Sequence, residues 1–275
     1  MENIEKKSSK EHWDGSYQIS KRDINPNWKP IYYDFRSIAS VIESAIRGGN
    51  VKSIMEVGCG DSLWLPYLIK RFSLVGGGVD YSQIGCDEVK ERLGVCGVKG
   101  DIFCKDIFDI ESEGGLYEGD KRFKYDLVYS LGVIEHFENT KRIIDIFSTM
   151  VSEKGLIVSI IPNFSALSFH KLFCYCYQPE ILKIHNLLSL QDLIKAHNIE
   201  GFKIIDSGYL GKFSMGIPAW GVSARKIFGS NLQKHRDIGN AITKFVWNKM
   251  KNVESYVGNQ FFAPYIYCVI QKEFE

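Results

Sequence analysis

Short apolar runs alternate with amphipathic stretches along most of this chain. VKSIMEV (51–57), LVGGGVD (74–80), FKYDLVYSLG (123–132), GLIVSII (155–161), FKIIDSGYLG (202–211) and YIYCVIQK (265–272) have the length and apolar content of strands, and a further strand lies within 93–104. Between them the apolar positions recur at helical spacing. Over 34–47, Phe35, Ile38, Val41, Ile42 and Ile46 share one face, and Gly48-Gly49 closes that helix. Further helices are predicted over 62–71, where Pro66 demands a tight start, and over 84–92, 140–150 and 188–197. Strands that alternate with helices predict an α/β fold whose parallel-type sheet is covered on both faces.

Some stretches fall outside this rhythm. Residues 1–12 are polar and are expected to be a disordered tail, leaving 13–275 as a single domain. An N-terminal cap over 13–47 begins with an aromatic, turn-rich segment carrying Trp13, Tyr17, Trp28 and Tyr33. Residues 163–187 form an aromatic-rich insertion with the character of a lid, and 212–262 a second, helical insertion.

Totals narrow the partners. The 34 basic and 33 acidic residues leave a net charge of +1, so no field of one sign invites nucleic acid or an anionic membrane. No run of 18 apolar residues exists, and the first residues lack the apolar core of a signal peptide. Seven scattered cysteines, an odd number in a chain of this length, fit a reducing cytoplasmic compartment.

The chemistry concentrates after the first strand. In IMEVGCGDS (54–62) an apolar run meets Glu56, then Gly58, Cys59 and Gly60 form a loop, and Asp61 or Ser62 can cap the next helix. Glycines there let backbone approach a ligand closely, with the helix dipole facing it. Asp80 ends the second strand, where a carboxylate can take both hydroxyls of a ribose. The third glycine of the dinucleotide fingerprint is absent, with Ser62 in its place, and no basic residue waits for a pyrophosphate. The loop therefore suits a nucleoside linked to an amino acid better than NAD.

With DLVYSLGVIEHF (126–137) added, the chain resembles the class I S-adenosylmethionine-dependent methyltransferases. Glu56, Gly58 and Gly60 match their first motif, Asp80 their strand-two acid, and Asp126, Val128, Val133, Glu135 and His136 their strand-four segment. Within that class the chain is similar to the small-molecule group that includes the ubiquinone-biosynthesis O-methyltransferases. The resemblance implies a Rossmann-like sheet of seven strands in the order 3-2-1-4-5-7-6, with strand seven antiparallel. It implies S-adenosyl-L-methionine as cofactor and S-adenosyl-L-homocysteine as product. It places Tyr81 beside the adenine, and Asp106 rather than Asp101 on the adenine amine with Ile107 stacking nearby. Ser130, Leu131 and Gly132 would hold the methionine ammonium, through their carbonyls or the Ser130 hydroxyl, and Tyr17 would close over the cofactor.

His136 is the candidate general base and Glu135 its orienting or cation-binding neighbour; the alternative is that the pair only caps the strand-four loop. Tyr33, Arg36, Phe169, His170, Tyr175 and His185 are candidate substrate contacts, the alternative being a lid that packs on itself. No metal is expected, since Cys174 and Cys176 lack a second pair and adjacent Glu135 and His136 cannot build a ligand shell alone. The expected reaction is methyl transfer to an oxygen of a small, partly apolar metabolite. Alternatives are N-methylation of a small molecule or peptide-derived natural product, and a non-catalytic S-adenosylmethionine-binding regulatory or structural domain. A monomer or homodimer is expected.

Overall fold

Among the described residues, nine strands follow one another: β1 (Ser53–Val57), β2 (Val75–Asp80), β3 (Gly100–Cys104), β4 (Leu116–Glu118), β5 (Lys121–Phe123), β6 (Tyr125–Leu131), β7 (Val151–Pro162), β8 (Phe202–Leu210) and β9 (Tyr265–Lys272). They belong to a computed structural model that describes residues 6–19, 24–177, 179–214, 232–249 and 258–273. Seven of them make one sheet in the order β3-β2-β1-β6-β7-β9-β8, while β4 and β5 pair as a separate hairpin. With the hairpin set aside, this is the order that the resemblance implied. The pairs from β3 across to β7 are parallel, and β9 runs antiparallel to both neighbours.

Alternation along the strands makes two apolar layers. Ile54, Leu127, Tyr129, Leu156 and Val158 face one layer, and Met55, Val57, Val128, Ile157 and Ile161 face the other. The first layer is closed by α2 (Tyr33–Gly48), α3 (Trp64–Phe72) and α4 (Gln83–Cys96), and the second by α5 (Ile107–Ser112), α6 (Thr140–Thr149) and α9 (Leu190–Ala196). The remaining α-helices among the described residues are α1 (Lys10–Ile19), α7 (Phe169–Tyr177), α8 (Pro179–Lys183) and α10 (Leu232–Lys249). Period-two burial on both faces is what a parallel sheet between helix layers demands.

Several expectations need correction. Helix α4 runs to Cys96 instead of ending at residue 92, because the left-handed residue that stops it is Gly97 (φ 69°). Pro66 is accommodated as the third residue of α3, where its missing N–H costs no helical bond. The short helix α5 and the β4–β5 hairpin were not foreseen in 105–123. The predicted disordered tail is ordered from Lys6: Lys6 bridges to Phe137, Lys7 N donates to the His136 carbonyl at 2.8 Å, and α1 starts at Lys10. Its polarity misleads because its partners are distant backbone groups. Residues 1–5 lie outside the described residues, as do 215–231 and 250–257 of the helical insertion.

The topology sets the location of a site. The order in which strands are added to the sheet reverses between β1 and β6, which run parallel, and the loops after β1, β2 and β6 leave from the same sheet edge. Such a switch point opens a crevice at the carboxyl ends of the strands. Among the described residues, no helix is long and apolar enough to cross a membrane.

Candidate functional site

The loop after β1 is held by its own sheet. Gly58 N and Cys59 N both donate to the Val79 carbonyl, at 2.8 and 3.2 Å, and Gly60 N donates to Asp80 Oδ2 at 3.0 Å. Gly58 has φ 74°, and a Cβ on it would overlap Val133 Cγ2. Beneath the loop, buried Glu56 accepts from Ser62 Oγ at 2.7 Å and Tyr129 Oη at 2.9 Å. Burial lifts the Glu56 carboxyl to about 8, against the two hydroxyls that lower it. Of the two predicted caps, Ser62 is the one used: its Oγ accepts from Trp64 N at 3.0 Å and Leu65 N at 3.2 Å.

A cavity of about 260 Å³ opens at these strand ends, lined by Asp80, Tyr81, Asp106, Ile107 and His136 among others. A second, of about 270 Å³, adjoins it and takes in Cys59, Gly60 and Trp64. Tyr17, Gly58, Leu131 and Gly132 line both. Asp80 is buried and receives Ser82 N at 2.8 Å, Gly60 N at 3.0 Å and Tyr17 Oη at 3.3 Å. Its carboxyl is raised, mainly by desolvation. Asp106 Oδ1 caps α5 through Phe108 N at 3.1 Å, and Oδ2 holds the Lys6 ammonium, which also lies 4.9 Å from the Tyr81 ring centroid. The alternative acid, Asp101, is exposed and lies at the opposite end of the strands.

Beyond β6, a 3₁₀ turn over Ile134–His136 presents a buried Glu135 and His136. The segment before α9 is clamped onto this turn: Asn186 N donates to the Glu135 carbonyl at 2.5 Å. His136 Nδ1 lies 2.7 Å from the Ile184 carbonyl, and His185 Nδ1 lies 2.6 Å from the Ile181 carbonyl. The two rings are 4.4 Å apart. Burial depresses His136 to about 3, with the His185 charge acting in the same direction. Glu135 is lifted to about 8 by desolvation, and neither of its buried carboxylate oxygens has a hydrogen-bond partner among the described residues.

Other candidates do not reach the cavities. The Ser130 hydroxyl is fully buried within the sheet and lines neither, so the expectation that it faces the cofactor is corrected; its neighbours Leu131 and Gly132 do line both. Tyr33 stacks on Trp247 with centroids 4.8 Å apart, and Arg36 faces solvent. Phe169 packs on Phe173 and Phe213, and Tyr175 is exposed. His170 is buried with Nε2 2.7 Å from the Ser214 carbonyl, so it ties the 163–187 insertion to the start of the second. None of the six predicted substrate contacts lines either cavity; the His185 ring lies 4.4 Å from that of His136, which lines the first. Lys6, Ser8 and Phe137 line the first cavity unforeseen. Nothing local marks Lys6 and Ser8, which long-range contacts such as Lys6 to Asp106 bring there, whereas Phe137 directly follows His136 in the chain.

The sequence profile of a family described as a methyltransferase domain matches residues 32–206. In structure, the chain is similar to the plantazolicin methyltransferase BpumL in complex with a triazolic desmethylPZN analog and SAH. The identity is 13% and the TM-score 0.56, over 95% of this chain and 90% of that one. It is also similar to an S-adenosylmethionine-dependent methyltransferase from Clostridium acetobutylicum ATCC 824, at 12% identity and TM-score 0.56, over 95% and 99% of the two chains. The [4+2]-cyclase SpnF matches at 12% identity and TM-score 0.57, over 93% and 86%. At such identities the likeness is one of fold, and the fold serves more than one reaction. None of the curated proteins matches the chain in sequence.

Proposed function

The chain belongs to the methyltransferase-domain family, and from that premise we propose that it binds S-adenosylmethionine at the β1–β2–β6 edge and methylates a small, natural-product-type metabolite. The observation that carries this reading is the convergence of the glycine loop, Asp80 and Asp106 on one cavity. The residues fit a nucleoside joined to an amino acid. Of the three donors on Asp80, two are backbone amides and the third, Tyr17 Oη at 3.3 Å, is the longest. A ribose hydroxyl can displace that one and leave the loop intact. Asp106 would accept from the adenine amine, with Ile107 and Tyr81 against the ring. Gly58, Leu131 and Gly132 would face the amino-acid end. When bound, the cofactor supplies an electrophilic methyl group on a sulfonium. The protein's part is then to position the acceptor and exclude water.

A nitrogen of a natural-product-derived molecule is the first reading for the acceptor. Its support is the likeness, along nearly the whole chain, to several plantazolicin methyltransferase structures. An oxygen, as the ubiquinone-type resemblance implied, is the second. Its support is His136, uncharged at neutral pH and lining the cavity, with Nε2 left for a proton or a cation.

Isothermal titration tests the cofactor. Micromolar binding of S-adenosylmethionine and none of NADH is expected. Asp80→Ala should weaken it about 10- to 100-fold, the ~1.5–3 kcal/mol of hydrogen bonds to a charged group. Binding of NADH instead, or an unchanged affinity in the variant, would overturn the reading. Methyl-labelled cofactor with a panel of hydroxyl- and amine-bearing metabolites then identifies the acceptor atom.

A further inference from the structure

We propose that Glu135, His136 and His185 form a binding site for one divalent first-row metal ion of the zinc type, at the wall of the first cavity. Among the described residues, these three each offer a ligand atom, and the atoms lie within 4.8 Å of one another. Ligand atoms around a tetrahedral zinc ion lie about 3.5 Å apart, so a turn of the Glu135 carboxylate and a small closure of the rings complete the set.

The second observation is how the ligand atoms are prepared. Each imidazole spends Nδ1 on a backbone carbonyl, Ile184 for His136 and Ile181 for His185. A carbonyl only accepts, so both rings carry the proton on Nδ1 and keep the Nε2 lone pair. This second-sphere arrangement fixes the tautomer of metal-binding histidines. Glu135 is the complement. Among the described residues its two buried oxygens have no hydrogen-bond partner, a costly state that a cation would relieve. Two imidazoles and a carboxylate suit zinc or iron(II) better than calcium or magnesium, which prefer oxygen. His12 and Lys7 bring positive charge toward His185 and oppose a cation, but both belong to the N-terminal strap rather than to the site. A self-contained packing cluster would explain the rings, but it leaves the bare carboxylate unexplained.

The ion would join the β6 turn to the segment that carries His185, 49 residues further along the chain, beside a cavity that His136 lines. It would make His136 a ligand, not a base. The consequence for the reaction rests on the methyltransferase reading. A metal-bound hydroxyl loses its proton far more readily than a free one, which would turn the choice of acceptor toward oxygen.

Cobalt(II) is the probe, because its visible absorption and paramagnetic shifts report its ligands. Chelator-treated full-length chain, without cofactor, is titrated with Co²⁺. The expected result is one ion per chain, visible bands of a four- or five-coordinate site, displacement by Zn²⁺, and two hyperfine-shifted imidazole N–H resonances. Glu135→Gln and His185→Gln, checked for folding by circular dichroism, should each weaken binding at least tenfold. Absence of a saturable Co²⁺ site, or a site without the two shifted N–H resonances, overturns the proposal. So does binding unchanged in both variants. The N–H signals come from the unaltered protein and decide the matter even if the variants do not fold. Separate titration of the metal-free chain with S-adenosylmethionine distinguishes failure of this site from failure of the cofactor reading.

Discussion

Gly58 shows what one residue type does for this site. At φ 74° a side chain would be strained, and its Cβ would meet Val133 at the cavity wall. Gly58→Ala should cost about 1–3 kcal/mol of stability, read by chemical denaturation, and should also weaken the cofactor. Glu56 supplies a pH signature. In the folded protein burial pushes its carboxyl up to about 8, above the ordinary 4.5. Native protein therefore keeps a proton that the unfolded chain releases, and stability is lost as pH rises from 4.5 to 8. Thermal melts at pH 5 and pH 8 should differ less in Glu56→Gln than in the unaltered chain. If they differ equally, burial of that carboxyl does not govern the slope.

At the level of elements, α1 and β9 act at long range. Lys6, in the strap before α1, holds Asp106, and Tyr17 on α1 reaches Asp80, so the strap engages both carboxylates read as cofactor contacts. Lys6→Ala should free Asp106 and tighten S-adenosylmethionine by up to about fivefold, since a partly exposed ion pair is worth at most ~1 kcal/mol. Calorimetry that shows weaker binding would make Lys6 a contact of the ligand instead. Strand β9 lies between β7 and β8 and bonds to both along its length. Ending the chain before Tyr265 should leave β8 without a partner in the sheet and abolish a cooperative thermal transition.

For the whole molecule, buried imidazoles set the acid limit. His197 is fully buried, with Nδ1 2.8 Å from the Leu193 carbonyl and Nε2 2.9 Å from Ser159 Oγ, which ties α9 to β7. Burial holds it at about 4, below the ordinary 6.5. The unfolded chain therefore binds the proton first, and the stability present above pH 6.5 is lost as pH falls toward 4. His170, also at about 4, adds to this loss. Melts between pH 7 and 4 should show the fall, and His197→Gln should flatten it. With Glu56 acting in the opposite sense, the pH of maximum stability lies inside the range bounded by these groups.

Short-range chemistry was legible in the chain itself. The near-continuous apolar runs in SIMEV and YDLVYSL determined strands buried on both faces, and Gly58, Gly60 and Asp80 marked the candidate ligand loop. Their physics is local: a turn that only glycine makes easily, and an acid at a strand end. What the tertiary structure alone decided is which distant groups meet. Lys6 reaches Asp106, Tyr17 reaches Asp80, and His185 joins Glu135 and His136, while Ser130 turns into the sheet and Tyr33 stacks on a remote tryptophan. No spacing along the chain encodes those encounters. They follow from the strand order and from backbone bonds, such as Asn186 to Glu135, that close loops dozens of residues long.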